Sequence, residues 1–229
     1  MAPFENQKPS YNVTEYGPGA VPAALYNTEC SSLYIEFLRM NADGHTPQEA
    51  AKLKNHAIFK ADFPRRTENC DGVRLSMEVD FGLGSNTSDG GSSRKPGELL
   101  IEPVRYEGRS FSSACTVNIP LRQRITLGHL IHAIAANNLQ HFYFCTVNQK
   151  YYGCRDFVAQ ATAQLFRYGY IGLDIVSHSP SQVVLPSRNI YHLLGLRFPP
   201  MGNPTVCPID KGWFNGYSRV VVGEMRYKA

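Results

Sequence analysis

An α+β fold, in which an antiparallel sheet packs against a few helices, is predicted by three features of this 229-residue chain. Residues 73–81 alternate apolar and polar side chains with the two-residue period of a half-buried strand. Two stretches, one after Thr126 and one from Cys154, repeat apolar residues at helical spacing. Fifteen Pro, 19 Gly and 11% aromatic residues ask for more loop and turn than a helical bundle carries. A hydrophobic content of 43% is enough to bury a full core. The chain therefore reads as one α+β domain over 31–229, preceded by an arm over 1–30.

The arm is rich in Pro, Gly, Asn and Tyr and reads as extended. A first strand follows over 31–40, with Leu33, Ile35 and Phe37 alternating against Tyr34, Glu36 and Leu38. Thr46 then caps a short helix that has Pro47 at its first position and runs through 48–54. His56 enters an apolar run, Ala57-Ile58-Phe59, that reads as a second strand. After a turn-like stretch over 64–72, the 73–81 strand pairs antiparallel with it through a long hairpin, placing Val73, Leu75, Met77, Val79 and Phe81 on one face and Arg74, Ser76, Glu78 and Asp80 on the other.

The 82–95 loop holds too little apolar content to order itself, and reads as a plain connection, with a flap over a site as the alternative. Strands are expected over 98–106, where Pro103 marks an edge or a break, and over 112–120. Thr126 caps a helix with a Leu127, Leu130, Ile131, Ile134 stripe. Residues 142–147 lead, as a strand, into the helix at Cys154, whose apolar positions are Phe157, Val158, Ala161, Leu165 and Phe166. A loop-rich extension over 173–229 ends in a last strand over 218–224. Within it, Trp213 and Phe214 read as a plug at the core edge, or as a cover over a site.

Composition excludes several function classes. The formal charge of +4 comes from scattered Lys and Arg, without the basic stripe and interleaved aromatics of a nucleic-acid binder. No stretch has the length of a signal-peptide core or a membrane span, so a cytoplasmic protein is expected. The six cysteines (Cys30, Cys70, Cys115, Cys145, Cys154, Cys207) include no CxxC pair, so neither a zinc site nor a disulfide framework is signalled and most should be inert thiols. No metal and no cofactor is expected. His129 and His132 lie three apart on one helix, but without a carboxylate or thiol beside them they read as a solvated or core-rim pair.

Cys154 is the residue on which function turns. Gly153 stands at the N-cap position, which puts a thiol at a helix start, where unpaired N–H groups and the macrodipole favour the nucleophilic thiolate. A buried structural cysteine is the competing reading. His56, at the head of its strand, is the candidate proton acceptor, and an ordinary strand-edge histidine otherwise. Of the polar residues on the neighbouring strand, Glu78 is preferred over Ser76 and Asp80 as the group orienting the imidazole, because a carboxylate accepts the ring N–H and sets the tautomer.

The order of these parts resembles the circularly permuted branch of the papain-like cysteine fold, the NlpC/P60-related group that includes lecithin retinol acyltransferase-like enzymes and PPPDE peptidases. His56-Ala57-Ile58-Phe59 is similar to the group's histidine strand, and Lys150-Tyr151-Tyr152-Gly153-Cys154-Arg155-Asp156-Phe157-Val158 to its cysteine helix start, over about 55–169. The chain departs from it in having Gly153 where Asn is usual and Asp156 where His is usual. Asn55-His56, Val73-Arg74 and Gly153-Cys154-Arg155 are also similar to a family of fungal proteins, some associated with secondary-metabolite gene clusters and without a settled activity. The resemblance implies cysteine-dependent acyl chemistry, by a hydrolase or an acyltransferase, on a small-molecule or acyl substrate, with Cys154 as nucleophile, His56 as base and Glu78 as third residue. Two alternatives share the pocket: a non-hydrolytic tailoring enzyme, such as a cyclase or isomerase, and a non-catalytic member of the fold.

Overall fold

In the computed structural model, which describes residues 9–40, 46, 53–82, 94–147, 150–199 and 202–228, the alternating stretches of the sequence pair into a curled antiparallel sheet. In chain order its strands are β1 (Tyr11–Asn12), β2 (Ser32–Leu38), β3 (His56–Thr67), β4 (Cys70–Val79), β5 (Arg94–Val104), β6 (Ser113–Ile119), β7 (Phe142–Val147), β8 (Lys150–Tyr152) and β9 (Ser177–Ser179). A two-stranded ribbon follows, β10 (Leu196–Arg197) with β11 (Thr205–Val206), and β12 (Trp213–Phe214) returns to the main sheet. Among the described residues that sheet has ten strands, ordered β12-β7-β5-β4-β3-β2-β6-β9, with β1 beside β5 and β8 beside β7. The helices are α1 (Val13–Tyr16), α2 (Ala23–Tyr26), α3 (Leu127–Ala135), α4 (Cys154–Arg167) and α5 (Ile190–Leu194). No helix of the described residues is long and apolar enough to cross a membrane.

Register follows from burial. Leu33, Ile35 and Phe37 of β2 stand opposite Ala61, Phe59 and Ala57 of β3, which continue across to Val73 and Leu75 of β4. All are at most 1% exposed, so a slip of one residue would turn this whole apolar set to the other face. Helices α3 and α4 pack together, and α4 lies on β3 and β4. The opposite face of the sheet is covered as well. Glu36 accepts the Ser110 N–H at 2.7 Å, Asp62 accepts the Gly108 N–H at 2.8 Å, and buried Lys60 pairs with Asp62 below the Tyr106 ring. These charges are tolerable under cover because each has a charged or hydrogen-bonding partner.

Helix α4 is buried continuously from Arg155 to Leu165, although five of those residues are polar or charged. Their partners come largely from the C-terminal chain. Arg155 donates to the carbonyls of Leu194, Leu196 and Cys207, Gln160 pairs with both the N–H and the carbonyl of Val220, and Gln164 bonds the Tyr217 hydroxyl. Residues after 173 are thus wrapped along the polar side of the helix.

Several expectations are corrected. Residues 9–30 are not an extended arm: they coil into short helical turns and sink Val13, Val21 and Leu25 into the core. The β3–β4 hairpin is long, as expected, but its turn is far tighter than the stretch over 64–72. Both strands run into a two-residue turn at Glu68 and Asn69, with φ of 50° and 61°, the doubly left-handed geometry that matches strand twist. No strand forms over 218–224, where the backbone binds Gln160 rather than a sheet edge. Phe81 and Phe166 are 73% and 38% exposed, Phe166 meeting the Arg122 guanidinium instead of the core. Phe214 is the plug, against Phe142, while Trp213 stays 46% exposed under Arg94. The helix expected over 47–54 and the 82–95 loop lie mostly outside the described residues.

Candidate active site

Helix α4 begins at Cys154 because Gly153 can do what no other residue can at that point. Its φ is +134°, and a Cβ there would stand 2.8 Å from the Phe142 ring. The first intrahelical bond, from the Phe157 N–H to the Gly153 carbonyl, is 3.0 Å. The N–H groups of Cys154, Arg155 and Asp156 therefore precede any acceptor within the helix, and the positive end of the helix faces the thiol. Cys154 is neither walled in nor free on the surface; it is half-buried.

His56 is the first residue of β3. The pairing of Phe59 with Leu75 and Ala61 with Val73, continued toward the strand start, sets His56 across from Glu78. Its Nε2 lies 2.9 Å from Glu78 Oε1, with the side chains 18% and 43% exposed. That leaves Nδ1 as the ring nitrogen available to the Cys154 sulfur, with which the imidazole interacts electrostatically. The Ala57 backbone N–H also favours charge on that sulfur.

Charge follows geometry. Burial works against an imidazolium at His56, but the Cys154 sulfur and the Glu78 carboxylate outweigh it and raise the ring to about 10. At Cys154 burial works against the thiolate, and His56, the Ala57 N–H and Arg155 outweigh it, lowering the thiol below its ordinary value. Glu78 is held below the usual carboxylate range: His56, Ser76 and Arg74 overcome its own burial. Both shifts run the same way, toward a thiolate–imidazolium pair backed by a carboxylate. Four of the other thiols go the opposite way. Burial pushes Cys30 and Cys115 up to about 12 and raises Cys70 and Cys145.

The three residues singled out in the sequence come together here. Of the alternatives to Glu78, Ser76 lies on the same strand face with its hydroxyl buried and unpartnered, and Asp80 closes a local turn by accepting the Gly82 N–H. His129 and His132 are structural: the first accepts the Thr126 N–H in a capping box, and the second packs edge-on to Tyr168. Two supporting residues were not foreseen. Asn55 bonds both the carbonyl and the N–H of Phe198, anchoring the strand start that carries His56. Asp156, fully buried, accepts from the Gly212 N–H, Arg219 and the Tyr227 hydroxyl, and so holds the first turn of α4 to the C-terminal chain. An Asn preceding a strand histidine, and a carboxylate two residues into a helix, were the available signals.

The thiol, the imidazole and Glu78 open onto a cavity of about 760 Å³ with a mostly apolar wall that includes Leu38, Met77, Val79 and Phe144. Among the described residues, no group of three His, Cys, Asp or Glu side chains is placed to hold a metal ion. A family described as "Domain of unknown function (DUF7770)" matches residues 41–214. No curated protein and no solved structure matches the chain.

Proposed function

The chain belongs to the DUF7770 family, and because that description carries no activity, we propose from the geometry alone that it is a cysteine-dependent acyl-transfer enzyme acting on a small-molecule ester, thioester or amide. The observation that carries this reading is the Cys154–His56–Glu78 series, in which His56 is hydrogen-bonded to Glu78 and electrostatically coupled to a sulfur that stands at a helix start and opens to a cavity. The order of parts, a histidine strand, a hairpin partner bearing the third polar residue and a later cysteine helix, agrees with the likeness to the permuted papain-like fold.

In the proposed reaction the Cys154 thiolate attacks the acyl carbonyl, forming a C–S bond while the carbonyl π pair moves onto oxygen. The N–H groups at the start of α4 stabilise that oxyanion. The oxyanion collapses, the bond to the leaving group breaks, and His56 delivers its proton to that group. Water or a second nucleophile then attacks the thioester, giving up a proton to His56, and the C–S bond breaks to restore thiolate and imidazolium. Glu78 keeps the ring oriented and favours its protonated form throughout.

Exposure to p-nitrophenyl acetate tests the proposal. A stable or transient acetyl adduct on Cys154, seen by mass spectrometry and lost in Cys154→Ala, is expected, with acetylation slowed at least about a hundredfold in His56→Ala. If wild type and Cys154→Ala release p-nitrophenol equally and Cys154 stays unmodified, the reading fails. A partly open cavity of about 760 Å³ also has the size to hold the small-molecule substrate of a cyclase or isomerase. That second reading is favoured if conversion of the natural substrate survives Cys154→Ala.

A further inference from the structure

We infer that this cavity selects acyl substrates carrying an anionic group, a carboxylate or a phosphate, and that Arg39 and Lys150 are the residues that select it. The inference rests on the acyl-transfer reading and concerns the substrate of that same site.

The argument is one of unmatched charge. Four cationic side chains line the cavity, Arg39, Lys54, Lys150 and Arg155, against two carboxylates, Glu78 and Asp210. Lys54 is ion-paired with Asp210 and lies over the Tyr152 ring, and Glu78 is engaged by His56. Arg155 turns its guanidinium away to backbone carbonyls and Cys207. Arg39, just beyond the end of β2, and Lys150, at the start of β8, remain. Both are exposed, and among the described residues neither has a carboxylate partner. The wall with which they share the cavity is apolar, with Leu38, Met77, Val79 and Phe144. A substrate matching this lining has an apolar portion along that wall and an anion that Arg39 and Lys150 meet. A low-polarity wall with two unmatched cations favours an anion over a neutral analogue of equal size.

The test uses the reactive thiol as reporter. Iodoacetate and iodoacetamide both alkylate by sulfur displacing iodide, and differ chiefly in charge. The ratio of their rates at Cys154, divided by the same ratio for free cysteine, measures the local preference for an anion, and any general loss of thiol reactivity cancels. At low salt this quotient is expected to be about tenfold in wild type, to fall about threefold in each of Arg39→Met and Lys150→Met, and to fall further in the double variant and in high salt. A quotient near one overturns the inference. So does a raised quotient unchanged by the substitutions, which would credit the His56 imidazolium. Failure of the parent reading looks different: Cys154 would then react with iodoacetamide no faster than free cysteine, whatever the quotient. Protection of Cys154 against iodoacetamide by hexanoate or by hexyl phosphate, each better than by hexanol, supports the inference and tells carboxylate from phosphate. Equal protection by hexanol overturns it.

Discussion

Replacing Glu78 with Gln removes one charge from the site while keeping the shape of the side chain. The carboxylate oxygen lies 2.9 Å from His56 Nε2, and 43% of the Glu78 side chain is exposed, so the pair is screened nearly as in water. At a dielectric constant of about 80, Coulomb's law gives about 1.4 kcal/mol for the lost attraction, a factor of about ten in the protonation equilibrium of the ring. The imidazolium of His56, which persists to about 10 in the wild type, should then lose its proton about one pH unit lower. Following the His56 ring by NMR through an alkaline titration measures this directly. The alkaline limb of Cys154 acetylation should move with it, because the proton for the leaving group comes from that ring. The raised value also has a stability counterpart. Stabilisation from the charged ring is complete below the ordinary histidine value of 6.5 and is lost as pH rises through about 10. A His56 midpoint that stays where it was, or moves upward, refutes the assignment of Glu78 as the group holding the imidazolium.

Limited labelling with iodoacetamide at pH 7 should modify Cys154 first, by peptide mapping, and leave Cys30 and Cys115 unmodified in the folded protein, since burial pushes both to about 12. Asp156→Asn should lower stability by about 2–3 kcal/mol, because it strips the charge partner from Arg219, whose side chain is only 24% exposed. A fall in the thermal midpoint on the order of 5–10 °C is the expected reading for a chain of this size. Gly153→Ala meets both a φ of +134° and the Phe142 ring at 2.8 Å, so it should cost about 1–3 kcal/mol and slow alkylation of Cys154. Denaturant unfolding and the alkylation rate together check this; a variant that matches wild type in both shows that the helix start does not depend on glycine here.

Much of the local structure is legible in the chain because it is decided by neighbours in sequence. The alternation over 73–79 and the helix starts at Thr126 and Cys154 depend on side-chain period and capping, which act over a few residues. The tight β3–β4 turn was hidden because Glu68 and Asn69 lack the Asn-Gly signature, although both take left-handed backbone angles. The irregular course of 218–224 was hidden for another reason. Its Val220-Val221-Val222 run suits a strand, but Gln160, 60 residues before Val220, takes the N–H and carbonyl of that residue.

The sequence by itself determined the candidate residues: a thiol behind a glycine at a helix start, a histidine at the head of a strand, and a carboxylate on the next strand. Only the tertiary structure decided that they meet. Strand register brings Glu78 opposite His56, and packing of α4 on β3 brings Cys154 to the same ring across nearly a hundred residues. Each contact depends on how distant apolar faces bury one another, and no local preference carries that information. The wrapping of the C-terminal chain around Arg155, Asp156 and Gln160 has the same origin: these polar groups enter the core only with partners that the fold brings from far along the chain.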